Sequence, residues 1–288
     1  HMSKEFQGVM NDISSTLKSV YNADATIVVP GGGSYGMEAV ARQFANGDSC
    51  LVVRNGWFSY RWSQILDAGR IADKTTVHKA RPVGEGSQQP FRPAPIEEVV
   101  ESIRAEKPGV VFAPHVETAA GVLLPDDYLK QVAEATHEVG GLFVLDCVAS
   151  GALWVDMKAI GADVLISAPQ KGWSASPCAA LVMLSERGLE RLEATTSSSF
   201  ACDLKKWHGI MQAYEGGGHA YHATMPTDAL AQFRDAMLET VNDGLETTRE
   251  RQLELGRRVR ALFAERGFTS VAAEGFEAPG VVVLYTQR

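Results

Sequence analysis

The feature that most constrains the fold is the alternation of short apolar runs with stretches of helical spacing. Strands are predicted at Ala25–Val29, Cys50–Val53, Thr75–His78, Gly109–Ala113, Leu142–Leu145, Val164–Ser167 and Ala179–Met183. Helical spacing separates most of them, as at residues 58–68, 96–106 and 126–138. Strands that are apolar throughout are buried on both faces, which is typical of a parallel sheet covered by helices. The sequence therefore predicts an α/β fold with a mainly parallel sheet.

The longest helical patterns lie near the two ends of the chain. Residues 4–22 are predicted to form an amphipathic helix, and residues 226–265 a long helix rich in Leu, Arg and Glu. We expect this second helix to connect two domains. The predicted boundaries are 1–235 for a large domain and 236–288 for the linking helix and the beginning of a smaller C-terminal domain.

The C-terminal domain is expected to start with strands at Ser270–Ala273 and Val281–Leu284. The last of these has no later segment to pack against. We therefore expect further segments of the protein beyond both ends of this sequence.

Composition argues against several classes of partner. The net charge is −8, and acidic and basic residues are interspersed, which disfavours a nucleic-acid surface. No apolar run approaches the roughly 18 residues of a membrane span, and no signal peptide is visible, so a cytoplasmic location is predicted. The four cysteines are far apart without a C-x-x-C pair, and the histidines lack metal-ligand spacing. We expect free thiols and no metal.

In parallel sheets, ligands bind at the carboxyl ends of the strands. The residues that follow each predicted strand are therefore the first candidates for a functional site. These are Gly31–Ser34, Asn55–Phe58, His115–Thr118, Asp146 and Ala168–Lys171.

The first of these segments contains a glycine pattern. Gly31, Gly33 and Gly36 satisfy G-x-G-x-x-G between a predicted strand and a helix. A dinucleotide site would also need an acidic residue about 20 positions later, at the end of the next strand. That strand ends in Val53–Gly56, which contains no acid. What remains is an anion-binding helix start with the Ser34 hydroxyl as a further donor, or a tight turn that binds nothing.

Two ionisable residues end other strands on the same edge. Asp146 ends a strongly apolar strand, and Lys171 follows another. Each alone could cap a helix or reach solvent. Together with an anion site they match what pyridoxal 5′-phosphate needs, which is a lysine for the covalent link and an acid for the ring nitrogen. The sequence therefore predicts this cofactor.

Six stretches then carry a resemblance to a known family. They are Gly32–Ala39, Asn55–Arg61, His115–Gly121, Asp146–Ser150, Ser167–Lys171 and Tyr221–Pro226. In this order they resemble the class V (fold type I) pyridoxal-phosphate-dependent aminotransferases, especially the alanine/serine–glyoxylate aminotransferase group. The likeness covers nearly the whole chain. It implies a large domain with a mainly parallel, seven-stranded sheet and helices on both faces, followed by a smaller α/β domain.

The resemblance also implies roles for single residues. Lys171 would bind the cofactor covalently and move a proton during the reaction, and Asp146 would pair with the ring nitrogen. Both are the predicted catalytic residues. Gly33 and Ser34 would bind the phosphate with help from the Gln170 side chain.

Three further positions follow from the same resemblance. Gly32 belongs to the phosphate site but stands where relatives often carry Ser, so one hydroxyl donor is lost. Phe58 would stack on the cofactor ring, with Trp57 beside it as a rival for that role. Thr118 would hydrogen-bond the ring oxygen, unless it only closes a local turn.

Tyr221 and Thr224 match positions that the family contributes to the phosphate site of the neighbouring subunit. The resemblance thus implies a homodimer with shared active sites. The alternative is that Tyr221 is simply an aromatic residue near a helix start.

The implied reaction moves an amino group from alanine or serine to glyoxylate or pyruvate by a ping-pong mechanism. The arginine that binds the substrate carboxylate in the family is expected beyond residue 288, and Arg288 is not assigned that role. One alternative is a lyase of the same fold, such as a cysteine desulfurase, which typically has His where Gln170 stands here. The hypotheses of a non-catalytic protein and of an NAD-dependent dehydrogenase account for fewer of these residues.

Overall fold

The computed structural model describes residues 1–286, so Arg288 lies outside the described part. The strands are β1 (Ala25–Pro30), β2 (Ser49–Arg54), β3 (Lys74–Lys79), β4 (Arg81–Pro82), β5 (Phe91–Arg92), β6 (Val110–Pro114), β7 (Val116–Glu117), β8 (Val122–Leu123), β9 (Leu142–Asp146), β10 (Val164–Ser167) and β11 (Ala179–Leu184). The helices are α1 (Lys4–Tyr21), α2 (Gly33–Phe44), α3 (Trp57–Gly69), α4 (Ile96–Glu106), α5 (Asp126–Glu138), α6 (Met157–Ile160), α7 (Glu186–Ala194), α8 (Leu204–Glu215), α9 (Thr227–Asp243) and α10 (Leu245–Ala264).

Seven of the strands form one sheet with the order β1-β11-β10-β9-β6-β2-β3. Strand β9 pairs in parallel with both β6 and β10, and β2 pairs in parallel with β6 and β3. Only β11 is reversed among the described strands of this sheet, since it pairs antiparallel with β1 and β10. The predicted α/β class with a mainly parallel sheet is confirmed.

The burial of the strands explains why their sequences are continuously apolar. Every residue of β6, β9, β10 and β11 is buried, and alternate residues of a strand point to opposite faces of the sheet. Both faces are therefore covered. The edge strand β3 has no fully buried residue and carries Lys at both ends, which suits a strand with one open edge.

Two expectations about the C-terminal half are wrong. The single helix predicted over residues 226–265 is two helices, because Gly244 adopts a positive φ of 94° between α9 and α10. The strands predicted at Ser270–Ala273 and Val281–Leu284 form only isolated bridges. The first segment donates from Val271 N to Val283 O in the second, but its other hydrogen bonds go to Phe91, so no continuous ladder develops.

Within residues 1–286, no helix is both long and apolar enough to cross a bilayer. The same residues contain no group of three or more His, Cys, Asp or Glu side chains placed to hold a metal ion. The four cysteines are free thiols, and all except Cys202 are buried.

Candidate active site

A cavity of about 210 Å³ opens at the carboxyl ends of the central strands. Seven of the predicted site residues line it together: Gly33, Ser34, Phe58, Thr118, Asp146, Gln170 and Lys171. Met37, Arg61, Val116, Val148 and Ala149 complete the lining. These residues come together at one edge of the sheet because the carboxyl ends of parallel strands converge there.

Asp146 is the last residue of β9 and is 7% exposed. Its Oδ1 accepts a hydrogen bond of 2.9 Å from the Val148 N–H. Burial raises the pKa of Asp146 to about 6, with a further increase from the charge of Glu117 and opposing effects from the Val148 N–H and Arg61. The carboxyl group is thus buried beside the cavity with one protein donor, and it has capacity to bind a further polar group.

Lys171 lies in the turn after β10. The turn is closed by hydrogen bonds from Ser174 N to Lys171 O (3.1 Å) and from Ala175 N to Pro169 O (3.0 Å). A Cβ on Gly172 would lie 2.2 Å from the Gly151 carbonyl oxygen, so only glycine fits beside the lysine. The Lys171 amine has no hydrogen-bond or ion-pair partner among residues 1–286. It is held at the cavity but is free to react.

The glycine segment forms the start of α2, which begins at Gly33. Its N-cap is Gly32, which offers no side-chain hydrogen bond, and the first N–H groups of a helix lack intrahelical partners. A Cβ on Gly33 would lie 2.9 Å from Val148 Cγ2, and one on Gly36 would lie 2.6 Å from the Ala180 Cβ. Close packing therefore requires both glycines and brings an electropositive helix end to the cavity.

Gln170 connects this helix start to the lysine turn. A Cβ built on Gly32 would lie 3.9 Å from Gln170 Nε2, although Gly32 itself does not line the cavity. The Gln170 Oε1 is buried without a hydrogen-bond partner in the described part of the chain. A buried amide oxygen without a partner is uncommon and indicates that a ligand or water is expected there.

Phe58 is in the first turn of α3 and is held there by a distant carboxylate. Glu117 is fully buried and accepts hydrogen bonds from Phe58 N (3.1 Å), Ser59 N (2.9 Å) and Ser59 Oγ (2.6 Å). It also accepts one from Ala119 N (3.0 Å) in its own loop. Because the N-cap residue Gly56 has no side chain, Glu117 caps the helix in its place. Glu117 thereby fixes Phe58 at the cavity next to Thr118.

Arg61 lies one helical turn after Phe58. Its Nη1 donates a hydrogen bond of 2.7 Å to Ser34 Oγ, and its guanidinium carbon lies 5.0 Å from the centroid of the Phe58 ring. Neither Arg61 nor Glu117 was among the site residues predicted from the sequence. Helical spacing from Phe58 is the signal that could have found Arg61.

The remaining predicted residues lie elsewhere. Trp57 is 59% exposed and does not line the cavity, so Phe58 is the aromatic residue that does. Tyr221 is 65% exposed, with its ring 5.5 Å from that of His1, and Thr224 is also exposed. A single chain does not bring Tyr221 or Thr224 to its own cavity. Their role at a neighbouring subunit stays a prediction.

The class of protein follows from a match to a family model. The model described as aminotransferase class-V matches residues 1–283. The chain therefore belongs to the class V aminotransferase family, and the predicted resemblance is confirmed.

Three proteins illustrate what this chain is similar to. The alanine–glyoxylate aminotransferase of Rattus norvegicus is 29% identical over 93% of this chain and 63% of its own length. A protein of Synechococcus sp. (strain PCC 6716) named "soluble hydrogenase, small subunit" is 26% identical over the whole chain and 72% of its own length. The solved alanine–glyoxylate aminotransferase of Nostoc sp. superposes with a TM-score of 0.84 at 24% identity, over 99% of this chain and 73% of its own. The chain thus spans roughly two thirds of the length of such relatives.

Proposed function

We propose that this chain carries the cofactor site of a pyridoxal-phosphate-dependent aminotransferase. The enzyme would move an amino group from a small amino acid, alanine or serine, to glyoxylate or pyruvate. The observation that carries the proposal is one cavity that combines the unpartnered amine of Lys171, the buried carboxyl of Asp146 and the start of α2. Family membership and the alanine–glyoxylate aminotransferase relatives support the reaction class.

The residues present fit the cofactor. A phosphate suits the open N–H groups at Gly33 and Ser34, and the unsatisfied amide of Gln170 lies beside them. A flat aromatic ring suits Phe58, with Thr118 available as a hydroxyl partner. Burial raises the pKa of Asp146 to about 6, and the positive charge of a protonated ring nitrogen beside it would offset that cost and favour the carboxylate.

When bound, pyridoxal 5′-phosphate supplies an electron-accepting ring that stabilises negative charge developing at Cα of the amino acid. The Asp146 carboxylate would keep the proton on the ring nitrogen and so maintain that capacity. The Nζ of Lys171 would hold the cofactor between turnovers and, once released by the amino acid, would act as the base that takes up the Cα proton. Donor and acceptor use the same site in turn, which gives ping-pong kinetics.

The first test is spectroscopic. Purified chain mixed with pyridoxal 5′-phosphate should absorb in the visible, and borohydride should bleach the band while fixing the cofactor to the peptide that contains Lys171. Lys171→Ala should lose both signals. Lys158→Ala is the matched control, because Lys158 forms an exposed ion pair with Asp24 (2.9 Å) away from the cavity. An unchanged spectrum in Lys171→Ala would refute the proposal.

The second test concerns the reaction. Alanine or serine should convert the bound cofactor to its amino form, and glyoxylate or pyruvate should reverse the change. Sulfide release from cysteine would instead favour the lyase. The thiols disfavour that outcome, because burial raises the pKa of Cys178 to about 11 and also raises those of Cys147 and Cys202.

We further propose a homodimer in which Tyr221 and Thr224 complete the phosphate site of the partner. The exposed aromatic side chains of Tyr35, Phe200 and Tyr221 supply apolar area for such an interface. Mixing Lys171→Ala subunits with Tyr221→Ala subunits should restore activity, since one of the two sites in a mixed dimer then has neither change. Failure of the mixture to exceed the separate variants would exclude shared sites.

The domain division at residues 235 and 236 and the cytoplasmic location also stay proposals. Limited proteolysis tests the division: cleavage within α9 would support it, whereas cleavage only at Gly244 would move the boundary to the junction of α9 and α10.

A further inference from the structure

The cavity contains a second cation that the proposed function leaves without a role. Arg61 lines it together with Lys171 and is half-buried. Its described hydrogen-bond partner is the Ser34 hydroxyl, at 2.7 Å. A guanidinium has five N–H donors, so most of the donors of Arg61 have no described partner.

The position of Arg61 is fixed from two directions. It follows Phe58 by three residues on α3, and its guanidinium lies over the Phe58 ring. The start of α3 is in turn held by the carboxylate of Glu117. Arg61 therefore reaches the start of α2 from a helix whose own first turn is anchored to the site.

The start of α2 is poor in side-chain donors. Gly32 occupies the N-cap position and contributes no side chain, so Ser34 is the hydroxyl at this helix start. A phosphate dianion bound there needs charge as well as hydrogen bonds, and arginine supplies both through a planar, paired set of N–H groups.

We propose that Arg61 is a phosphate-binding residue of the cofactor site, and that it replaces the donor which Gly32 does not provide. This inference rests on the proposed function, since it assumes that the anion is the phosphate of pyridoxal 5′-phosphate. It assigns to α3 a second task besides presenting Phe58.

The test compares two ligands that differ only in the phosphate. Dissociation constants for pyridoxal 5′-phosphate and for pyridoxal are measured on the apoprotein by fluorescence quenching, in the wild type and in Arg61→Gln. We expect Arg61→Gln to weaken the binding of pyridoxal 5′-phosphate by about 10- to 100-fold, the range for a charge-assisted hydrogen bond. The affinity for pyridoxal should stay nearly unchanged. The ratio of the two constants is the readout, and it does not depend on catalysis.

Two further variants sharpen the comparison. Arg61→Lys keeps the charge but loses the planar fork, so an intermediate loss is expected, and this variant decides the question where Arg61→Gln does not fold. Arg54→Gln is the matched control, because Arg54 stacks on Tyr60 at 4.6 Å and does not line the cavity. The ratio should not change in Arg54→Gln.

A rescue experiment tests the link to Gly32. The φ of Gly32 is −160° and the nearest atom to an added Cβ is 3.9 Å away, so a serine side chain fits. Gly32→Ser should recover part of the affinity for pyridoxal 5′-phosphate in the Arg61→Gln background. The same substitution should increase that affinity by a smaller factor in the wild type.

The outcomes are distinct. An equal loss of affinity for both ligands in Arg61→Gln, or no loss of affinity for either, would overturn the role of Arg61. Both outcomes would leave the cofactor assignment intact. Failure of the wild type to bind pyridoxal 5′-phosphate would overturn the proposed function and this inference together.

Discussion

The cavity is lined by two groups of residues that are positioned in different ways. Asp146, Gln170 and Lys171 directly end or follow strands of the central sheet, and we call them the strand-end group. Ser34 and Phe58 lie in the first turns of α2 and α3, Arg61 lies one turn further along α3, and we call these three the helix-start group. The first group is placed by strands that are buried throughout. The second depends on contacts made far along the chain.

The contrast is clearest at α3. The carboxylate that caps it, Glu117, is 58 residues away from Ser59 in sequence. At the lysine turn the closing hydrogen bonds span only three and six residues, from Ser174 to Lys171 and from Ala175 to Pro169. Substitutions should therefore disturb the helix-start group through remote contacts, and the strand-end group mainly through local ones.

The largest effect is expected from removing the remote cap. Glu117→Ala would leave three N–H groups and one hydroxyl without their buried acceptor, at a cost of about 4 kcal/mol in the free energy of unfolding. Affinity for the cofactor should fall as well, because Phe58 loses its anchor. Glu97→Gln, at the exposed start of α4, is the control and should change stability by less than about 0.5 kcal/mol. Chemical denaturation measures both, and equal effects would contradict the capping role.

A second effect concerns charge in the strand-end group. The pKa of Asp146 in the folded chain is about 6, above the ordinary value of 3.8, so the folded state favours the protonated form. Asp146 therefore lowers the stability of the apoprotein as pH rises from about 4 to 6, and the loss is complete above pH 6. At pH 7 it amounts to roughly 3 kcal/mol, from 1.36 kcal/mol for each tenfold change in the protonation equilibrium.

Asp146→Asn should remove this cost. Above pH 6 the apoprotein of this variant should be more stable than the wild type, and the difference should vanish near pH 4. Its affinity for pyridoxal 5′-phosphate should nevertheless fall, because the proposed partner of the ring nitrogen is lost. The exposed Asp127→Asn serves for comparison and should show no such pH dependence. Denaturation curves at several pH values measure the free energy of unfolding of both variants. The same pH dependence in Asp146→Asn and Asp127→Asn would exclude the buried charge as the cause.

A third effect tests how the lysine turn packs against the loop after β9. Gly172→Ala would place a Cβ 2.2 Å from the Gly151 carbonyl oxygen and should destabilise the chain by about 2 kcal/mol. Gly209→Ala in α8 has open space around the new Cβ, so alanine should stabilise that helix by about 0.5 to 1 kcal/mol. Thermal unfolding of the two variants should therefore shift in opposite directions.

The smallest effect separates the two neighbouring aromatic residues. Phe58→Ala should weaken the binding free energy of pyridoxal 5′-phosphate by about 1 kcal/mol, the typical contribution of an aromatic pair. Trp57→Ala should leave the affinity of the single chain for pyridoxal 5′-phosphate unchanged, because the Trp57 side chain is exposed outside the cavity. The reverse ranking, measured by titration of the apoprotein, would assign the stacking role to Trp57.

The strand-end group could be predicted because its position follows from topology. A residue after a buried parallel strand must lie at the carboxyl edge of the sheet, and this placed Asp146 and Lys171 together without knowledge of their contacts. The same reasoning placed Ser34 and Phe58 at that edge. It could not show that Glu117 caps α3 or that Arg61 contacts Ser34, since both contacts join segments that are distant in sequence.

The errors have a related cause. The pattern over residues 226–265 is helical throughout, and only the positive φ of Gly244 divides it. The segments at Ser270–Ala273 and Val281–Leu284 have strand-like composition, but their backbone groups pair with several different parts of the chain. Local pattern gives the propensity of a segment, whereas its actual partners depend on the packed chain.

The amino-acid sequence by itself determined the α/β class, the edge of the sheet where the cavity opens and the residue types available there. Alternation of buried strands and helices is enough for that, because burial on both faces and parallel pairing leave little choice of arrangement. Only the tertiary structure decided that α2 begins at Gly33, that Glu117 caps α3 and that Arg61 turns toward Ser34. These features depend on distances between side chains from separate segments, and only the folded chain fixes those distances.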